Sequence, residues 1–297
     1  MNKEQAVNKI INSYIINPIN KSNHVGVEIE FVSKISHKEL ASRIYDTYPE
    51  IVEFIALKQD GSIECENENT CENCDGSGVI YETCEYCNGY GCEVCNEIGS
   101  CRITCPICHG SGYTDDNHEW DCEAVICSPE SMINTIIKKL LDVIKKEANG
   151  YVNRSCGLHV HLDMRSRNIS KCYRRLFNNK KYLFKLLPDS RLFNNRYCQP
   201  NENKNYLQEK KRNDRYLHFN PISYEKHKTL EIRMHTGSLN YTKIKNWIEL
   251  LLKIVDNGST TKEPLNYKEF KKRTKISRKL EAYMKGRAKE FNKELTI

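Results

Sequence analysis

Three short stretches carry acids, histidines or an arginine at every second position. His24-Val25-Gly26-Val27-Glu28-Ile29-Glu30-Phe31 alternates Val25, Val27, Ile29 and Phe31 with Gly26, Glu28 and Glu30, the period that sends the two sets to opposite faces of a strand. Cys156 to Asp163 sets His159, His161 and Asp163 against Leu158, Val160 and Leu162, and Leu230 to His235 sets Glu231, Arg233 and His235 against Leu230, Ile232 and Met234. Two acids side by side on a core-type strand repel each other and are costly to bury unless a cation lies between them. A single Glu-x-Glu also suits a strand with one wet face. Three such strands sharing a sheet would bring their polar side chains together. The set is rich in hard oxygen donors, which favour magnesium or manganese, and the neighbouring Arg233 points to a phosphate. No GxxxxGKS, GxxxxGKT or GxGxxG loop occurs, so metal ions and arginines would have to hold a triphosphate.

A second constellation is made of cysteines. Of 15 in the chain, ten fall between Cys65 and Cys108, and eight of these form four CxxC pairs. The units are Cys71-Glu-Asn-Cys74-Asp-Gly76-Ser-Gly78, Cys84-Glu-Tyr-Cys87-Asn-Gly89-Tyr-Gly91, Cys92-Glu-Val-Cys95-Asn-Glu-Ile-Gly99 and Cys105-Pro-Ile-Cys108-His-Gly110-Ser-Gly112. Each pair offers two thiolates from a tight turn, and the glycines permit the positive φ that wraps amides round the sulfurs. Eight thiolates make two structural zinc sites. Such spacing suits a reducing compartment better than disulfides. Cys65 and Cys101 lie outside the repeats.

The elements that must position these groups are legible in outline. Helical periodicity runs over His37–Tyr48, Glu130–Ala148, Ser170–Leu187 and Lys243–Val255, and Pro18 stops a weaker N-terminal pattern. Phe54–Glu64 reads as a hairpin turning at Asp60-Gly61, its second arm placing Asp60, Ser62 and Glu64 on one face. Trp120–Ser128 reads as a strand with Asp121, Glu123 and Val125 on one face. Asp189–Pro200 and Arg212–Pro221 are rich in Arg, Asn and Tyr without a period. The tail from Lys262 holds 12 bases against five acids and reads as one or two basic helices. From Glu64 to Glu123 there are 14 acids against the single base Arg102, so the overall +7 conceals −13 there and +20 elsewhere. No stretch approaches the roughly 20 apolar residues of a membrane span, and no charged-then-apolar leader is evident. The expectation is a cytoplasmic protein without a membrane partner.

The cysteine repeats resemble the CxxCxGxG zinc module of DnaJ-type co-chaperones. That resemblance implies one zinc on Cys71, Cys74, Cys105 and Cys108 and another on Cys84, Cys87, Cys92 and Cys95. Unit three departs from the pattern with Asn96-Glu97-Ile98, and it abuts unit two directly. The rest of the chain resembles the amidoligase family of the glutamine synthetase and glutamate-cysteine ligase superfamily, through VGVEIEF, ALKQDGS, a strand ending ICSP, CGLHVHLD, SRLFNNRYC, RYLHFN and LEIRMHTGSLN, in that order. The resemblance implies an α+β fold, a glutamine synthetase-like antiparallel sheet with helices packed on one face, interrupted by the zinc insert. The catalytic domain would comprise residues 1–64 and 120–260, the insert 65–119 and the basic tail 261–297.

The activity implied is ATP-dependent ligation of a carboxylate to an amine through an acyl phosphate, with about two magnesium or manganese ions. By position, Glu30 and Glu123 match one metal site, Glu28, His159 and Glu231 the other. His161 would lie near the nucleotide and Arg233 near the transferring phosphate. Arg191, Arg196 and Arg215 are candidates for phosphate or substrate carboxylate, and Asp60 or Glu64 for the base that takes the amine's proton. The insert could present a peptide or protein substrate. Two other classes compete: a non-catalytic, zinc-dependent interaction protein on a degenerate ligase scaffold, and a nucleic-acid-binding protein suggested by the basic body and tail. The acidic insert argues against phosphate gripping by the zinc unit itself.

Overall fold

The computed structural model describes residues 1–12, 23–65, 71, 73–96, 98–108, 110, 112, 119–193, 195–261, 263–264 and 266–295. The chain forms two compact units, one of Met1–Glu64 with Asp121–Ile297 and one of Cys65–Trp120. The larger begins with α1 (Lys3–Asn12), β1 (His24–Ser33), α2 (His37–Thr47), a 3-10 helix at Pro49–Phe54 and β2 (Ile55–Lys58). The smaller supplies β3 (Val79–Thr83) and β4 (Ser100–Thr104). The chain continues through β5 (Trp120–Pro129), α3 (Ile133–Lys146), β6 (Gly157–Asp163), α4 (Ile169–Phe184) and α5 (Tyr206–Lys210). It ends with β7 (Phe219–Asn220), α6 (Ser223–His227), β8 (Thr229–Thr236), α7 (Tyr241–Asn257), α8 (Tyr267–Thr274) and α9 (Arg278–Glu290).

In the larger unit six strands form one sheet in the order β2-β5-β1-β6-β8-β7, so the class is α+β with an antiparallel sheet. Alternation buries Val25, Val27, Ile29 and Phe31 completely, along with Leu158, Val160, Leu162, Leu230 and Ile232. These meet the apolar stripes of the helices, α3 contributing Ile136, Ile137, Leu140 and Ile144 and α7 Ile244, Trp247, Leu251 and Ile254. Phe31 and Ile144 both close on Gly150. Asn168, Asn205, Asn240 and Asn266 each accept an N–H from the first turn of α4, α5, α7 and α8, which satisfies an otherwise orphaned donor.

Two expectations are corrected here. Residues 54–64 do not form a hairpin. The side chain of Asp60 accepts the Ser62 N–H at 3.0 Å and its hydroxyl at 2.7 Å, a local turn that ends the strand. β2 instead pairs with β5, placing Lys58 opposite Glu123. The second correction concerns His235. The register between β6 and β8 slips by one residue, since Val160 faces Ile232 but Leu158 faces His235. The extra residue on β8 is a bulge, beyond which the alternation inverts. His235 therefore turns to the core, where its ring lies 4.9 Å from that of Trp247 and burial pushes its pKa down to about 3.

The loop that leads into α5 is held by a buried acid that periodicity could not reveal. Glu209 is 0% exposed and accepts N–H bonds from Glu202 at 3.1 Å and Asn203 at 2.9 Å, with Asn201 Nδ2 at 3.4 Å and Arg212 Nη1 at 3.3 Å. Asn201 in turn joins Phe219 of β7 through both its amide atoms. Replacing Glu209 with alanine strands these donors, and we expect a loss of about 3 kcal/mol in denaturant unfolding. A loss below about 0.5 kcal/mol would show that the loop is held by other contacts.

Candidate active site

Antiparallel register gathers the polar face. Glu28 lies opposite His159 and Gly26 opposite His161 across β1 and β6, and His161 opposite Glu231 across β6 and β8. Glu28 Oε2 is 2.8 Å from His159 Nδ1 and its Oε1 is 3.1 Å from His161 Nε2. Burial alone would raise the Glu28 pKa, but His161 and His159 outweigh it and hold the carboxyl well below its usual range. Glu231 is lowered too: burial opposes ionisation, and His161 and Arg233 overcome it. Arg233 Nη1 donates to Glu231 Oε1 at 2.5 Å, and Asn220 Nδ2 to Glu231 Oε2 at 2.6 Å. His161 is steadied by Thr229 Oγ1 at 3.0 Å, itself 2.9 Å from Ser223 Oγ.

Ligand atoms of Glu28, His159 and Glu231 lie within 4.8 Å of one another, and so do those of Glu30, Asp60 and Glu123. Either set could hold a divalent cation. The second is all carboxylate, a hard donor set that suits magnesium or manganese. Burial and the Glu28 charge push Glu123 up to about 7, with Lys58 Nζ at 3.4 Å pulling the other way. A divalent cation among these acids would relieve that repulsion. Glu30 is anchored by the Gly157 N–H, which donates to its Oε2 at 2.5 Å.

A cleft of about 590 Å³ opens on this face, lined among others by Glu28, Lys58, Glu123, His161, Arg215, Asn220, Glu231 and Arg233. Of the other arginines singled out in the sequence, Arg191 and Arg196 do not line it. Arg191 is buried, and its Nη2 donates to the backbone carbonyls of Arg233 at 3.0 Å and His235 at 3.1 Å. It thus spans the β8 bulge. Asp60 enters the carboxylate set, whereas Glu64 is exposed, its backbone tied to Ser155 and Asn153. Neither lines the cleft. Sequence reasoning missed Lys58, Asn220, Thr229, Ser223 and the Gly157 amide. Lys58 and Asn220 fall within the ALKQDGS and RYLHFN stretches, so a signal was present without an alternation to assign it a direction.

The smaller unit forms two cysteine clusters. Cys71 Sγ is 3.8 Å from Cys105 Sγ and Cys74 Sγ 3.6 Å from Cys108 Sγ. In the other, Cys84 and Cys92, Cys87 and Cys95, and Cys92 and Cys95 are each 3.8 Å apart. A tetrahedron with zinc–sulfur bonds of about 2.3 Å has edges of about 3.8 Å, whereas a disulfide needs about 2.05 Å. The geometry therefore fits two zinc sites of four thiolates each. Burial would raise the Cys95 thiol, but N–H donors from Cys92 and Gly99 bring it down to about 6, the thiolate form a metal requires. Gly78 has φ +72°, and a Cβ there would lie 2.3 Å from the Gly110 carbonyl oxygen. Units one and four thus meet backbone to backbone.

A family model described as "Putative amidoligase enzyme" matches residues 21–255. No curated protein and no solved structure matches the chain.

Two outcomes test this geometry. A methyl group at Gly157 would lie 2.9 Å from His159 Nε2 and 3.2 Å from Glu30 Oε2, so Gly157→Ala should weaken manganese binding, read by electron paramagnetic resonance, by about tenfold or more. Unchanged affinity would remove Glu30 and His159 from the metal-holding role. Elemental analysis should find two zinc ions per chain, and Cys74→Ser should lower the count to one. Two retained in the variant would mean that the clusters are not the zinc sites.

Proposed function

The chain belongs to the amidoligase family, and from that premise we propose that it is an ATP-dependent carboxylate-amine ligase that forms an amide or isopeptide bond through an acyl phosphate. The observation that carries this reading is the pairing of two ligand sets, Glu28–His159–Glu231 and Glu30–Asp60–Glu123, whose Glu28, Glu231 and Glu123 line one cleft together with the buried Arg233. Phosphoryl transfer asks little covalent help of a protein and much charge neutralisation. Glu28, His159 and Glu231 would hold one magnesium or manganese ion and Glu30, Asp60 and Glu123 the other, and bound metal would supply that neutralisation.

Arg233 is the protein's own contribution at the transferring group. Its Nη1 is committed to Glu231, while its buried Nε has no partner among the described residues. Such a donor favours an incoming phosphate oxygen. Glu231 fixes the guanidinium before the ligand arrives, so little reorganisation remains at the moment of transfer. His161, held by Thr229 and aimed at Glu28, would sit beside the nucleotide. The amine attacks the acyl carbon as a neutral species, and the phosphate leaves with the bonding electron pair. The amine's proton must pass to a nearby ionised carboxylate acting as the base.

The antiparallel sheet with apolar helices behind it supports a glutamine synthetase-like fold, and the two four-cysteine clusters support a DnaJ-type zinc module. That unit carries exposed Tyr86, Tyr90, Val94, Ile98 and Ile107, which favours a role in presenting a peptide or protein substrate. A reducing, cytoplasmic setting goes with thiolates that must stay unoxidised. Among the described residues no helix is long and apolar enough to cross a membrane.

The test needs no knowledge of the substrate. Calorimetry should show magnesium-dependent ATP binding by the full chain in the micromolar range, about −8 kcal/mol. Glu231→Gln and Arg233→Ala should each weaken it by about tenfold or more, a change of about 1.4 kcal/mol. A folded, zinc-loaded protein that ignores ATP at millimolar concentration would sink the ligase reading.

A further inference from the structure

The family match ends at residue 255, and two helices beyond it carry a charge that the ligase reading does not use. α8 and α9 are joined by the short turn Lys275 to Ser277. The side chain of Asn266 caps the first helix and that of Ser277 the second. Phe270, Thr274, Ile276, Leu280 and Met284 are buried. Lys253 of α7 fixes the turn by donating from its Nζ to the Lys275 carbonyl at 3.1 Å. The pair is therefore a docked helix-turn-helix unit rather than a loose tail.

Its outward side is basic. Every acid on the two helices is answered locally: Glu269 by Arg273, Glu281 by Lys271 and Lys285, and Glu290 by Arg287 and Lys243. Lys268, Lys272, Lys275, Arg278, Lys279 and Lys289 are exposed and form no ion pair among the described residues. At 3.6 residues per turn, Arg278, Ala282, Lys285, Gly286 and Lys289 share one face of α9, and all five are exposed. That face mixes bases with the two smallest side chains and holds no acid.

Two of its features work against the helix itself. Arg278 and Lys279 stand in the first turn, where the macrodipole favours acids. Gly286 lies inside the helix, and a Cβ placed there would meet nothing within 4 Å. Packing does not require that glycine, and alanine would suit the helix better. Such departures from local preference are the mark of a surface shaped for a partner.

The chemistry of the face narrows the partner. Neither helix exposes a large apolar side chain among the described residues, so nothing is offered to enter an acyl layer or to anchor a peptide. Unpaired lysines and arginines suit the regular phosphates of a nucleic acid, and small residues between them let the helix axis come close to a groove. The major groove of B-form DNA admits an α-helix, whereas that of an RNA duplex is too narrow.

We propose that α8 and α9 form a duplex-DNA-binding surface, with the Arg278–Lys289 face of α9 in the major groove and Lys272, Lys275 and Lys279 on flanking phosphates. None of these residues lines the cleft, and the site stands independently of the ligase reading.

The experiment titrates the full, zinc-loaded chain into a short fluorescent DNA duplex of mixed sequence and follows anisotropy over a range of salt. Binding should lie in the micromolar range near physiological salt. If about five phosphates are neutralised, log K should fall against log salt with a slope of about −4.5. Lys272→Gln and Arg278→Gln should each weaken binding by about threefold or more and bring the slope about one unit closer to zero. Gly286→Gln tests the face without changing its charge: it should weaken binding by about tenfold while melting no lower than native. An RNA duplex of the same sequence should bind more weakly. Equal zinc content and melting temperature serve as the folding control for the charge variants.

No binding of DNA by the folded native chain overturns the proposal, as do variants that bind as tightly as native and an RNA duplex held as well as the DNA. Tighter binding of polyglutamate or of phosphatidylserine vesicles than of the duplex overturns it too, since the face would then meet an acidic protein or a membrane. So does self-association in sedimentation that Arg278→Gln abolishes, which would assign the face to a second copy of the chain.

Discussion

The structure of the larger unit is governed by the repulsion among carboxylates held on one face of a sheet whose other face is dry. Glu28, Glu30, Glu123 and Glu231 cannot be removed from water at close quarters without donors and counter-charges. The neighbours supply these one by one: His159 and His161 on Glu28, the Gly157 amide on Glu30, Lys58 on Glu123, Asn220 and Arg233 on Glu231. Much of this could be arranged only on adjacent strands. Antiparallel register places Glu28 opposite His159 and Lys58 opposite Glu123, so strand order is inseparable from charge compensation.

One extra residue in β8 resolves a conflict inherent in that arrangement. Strict alternation would send Glu231, Arg233 and His235 into the same space, adding a third group to a crowded cluster. The bulge divides them, leaving Glu231 and Arg233 toward the acids and turning His235 toward Trp247. A bulge breaks ladder hydrogen bonds and leaves carbonyls to be satisfied. Arg191 donates to two of them, those of Arg233 and His235, so an arginine that suggested anion binding in the sequence is occupied with the backbone.

What could be read from the chain follows from the range of the forces involved. Period-two alternation is a local property, so the faces of β1, β5 and β6 were legible, and with them Glu28, Glu30, Glu123, His159 and His161. The cysteine clusters were legible because CxxC fixes two ligands in one turn, and resemblance suggested how the turns pair. The hairpin expected at Phe54–Glu64 failed because Asp60 commits its side chain to Ser62 while β5 offers Ile55–Lys58 a full partner. His235 failed because a bulge is a relation between two strands and leaves no mark on either alone. Glu209 lies in α5, a helix of five residues, too short to show a period, and its burial is decided by loop amides that alternation does not encode.

Charge distribution closes the argument about what the cleft admits. The chain outside the Glu64–Glu123 stretch carries +20, yet the cleft at its centre is floored by acids. A free polyanion would be drawn by the body's field and then repelled by Glu28, Glu123 and Glu231. A free divalent cation would meet the reverse, attraction within and repulsion without. A polyanion that carries its own metal ions satisfies both fields at once, the metals meeting the carboxylates while the remaining negative charge meets Arg233. On the proposed reading this is the form in which a nucleoside triphosphate arrives, so the same opposition of charges that makes the floor costly to fold also selects the ligand.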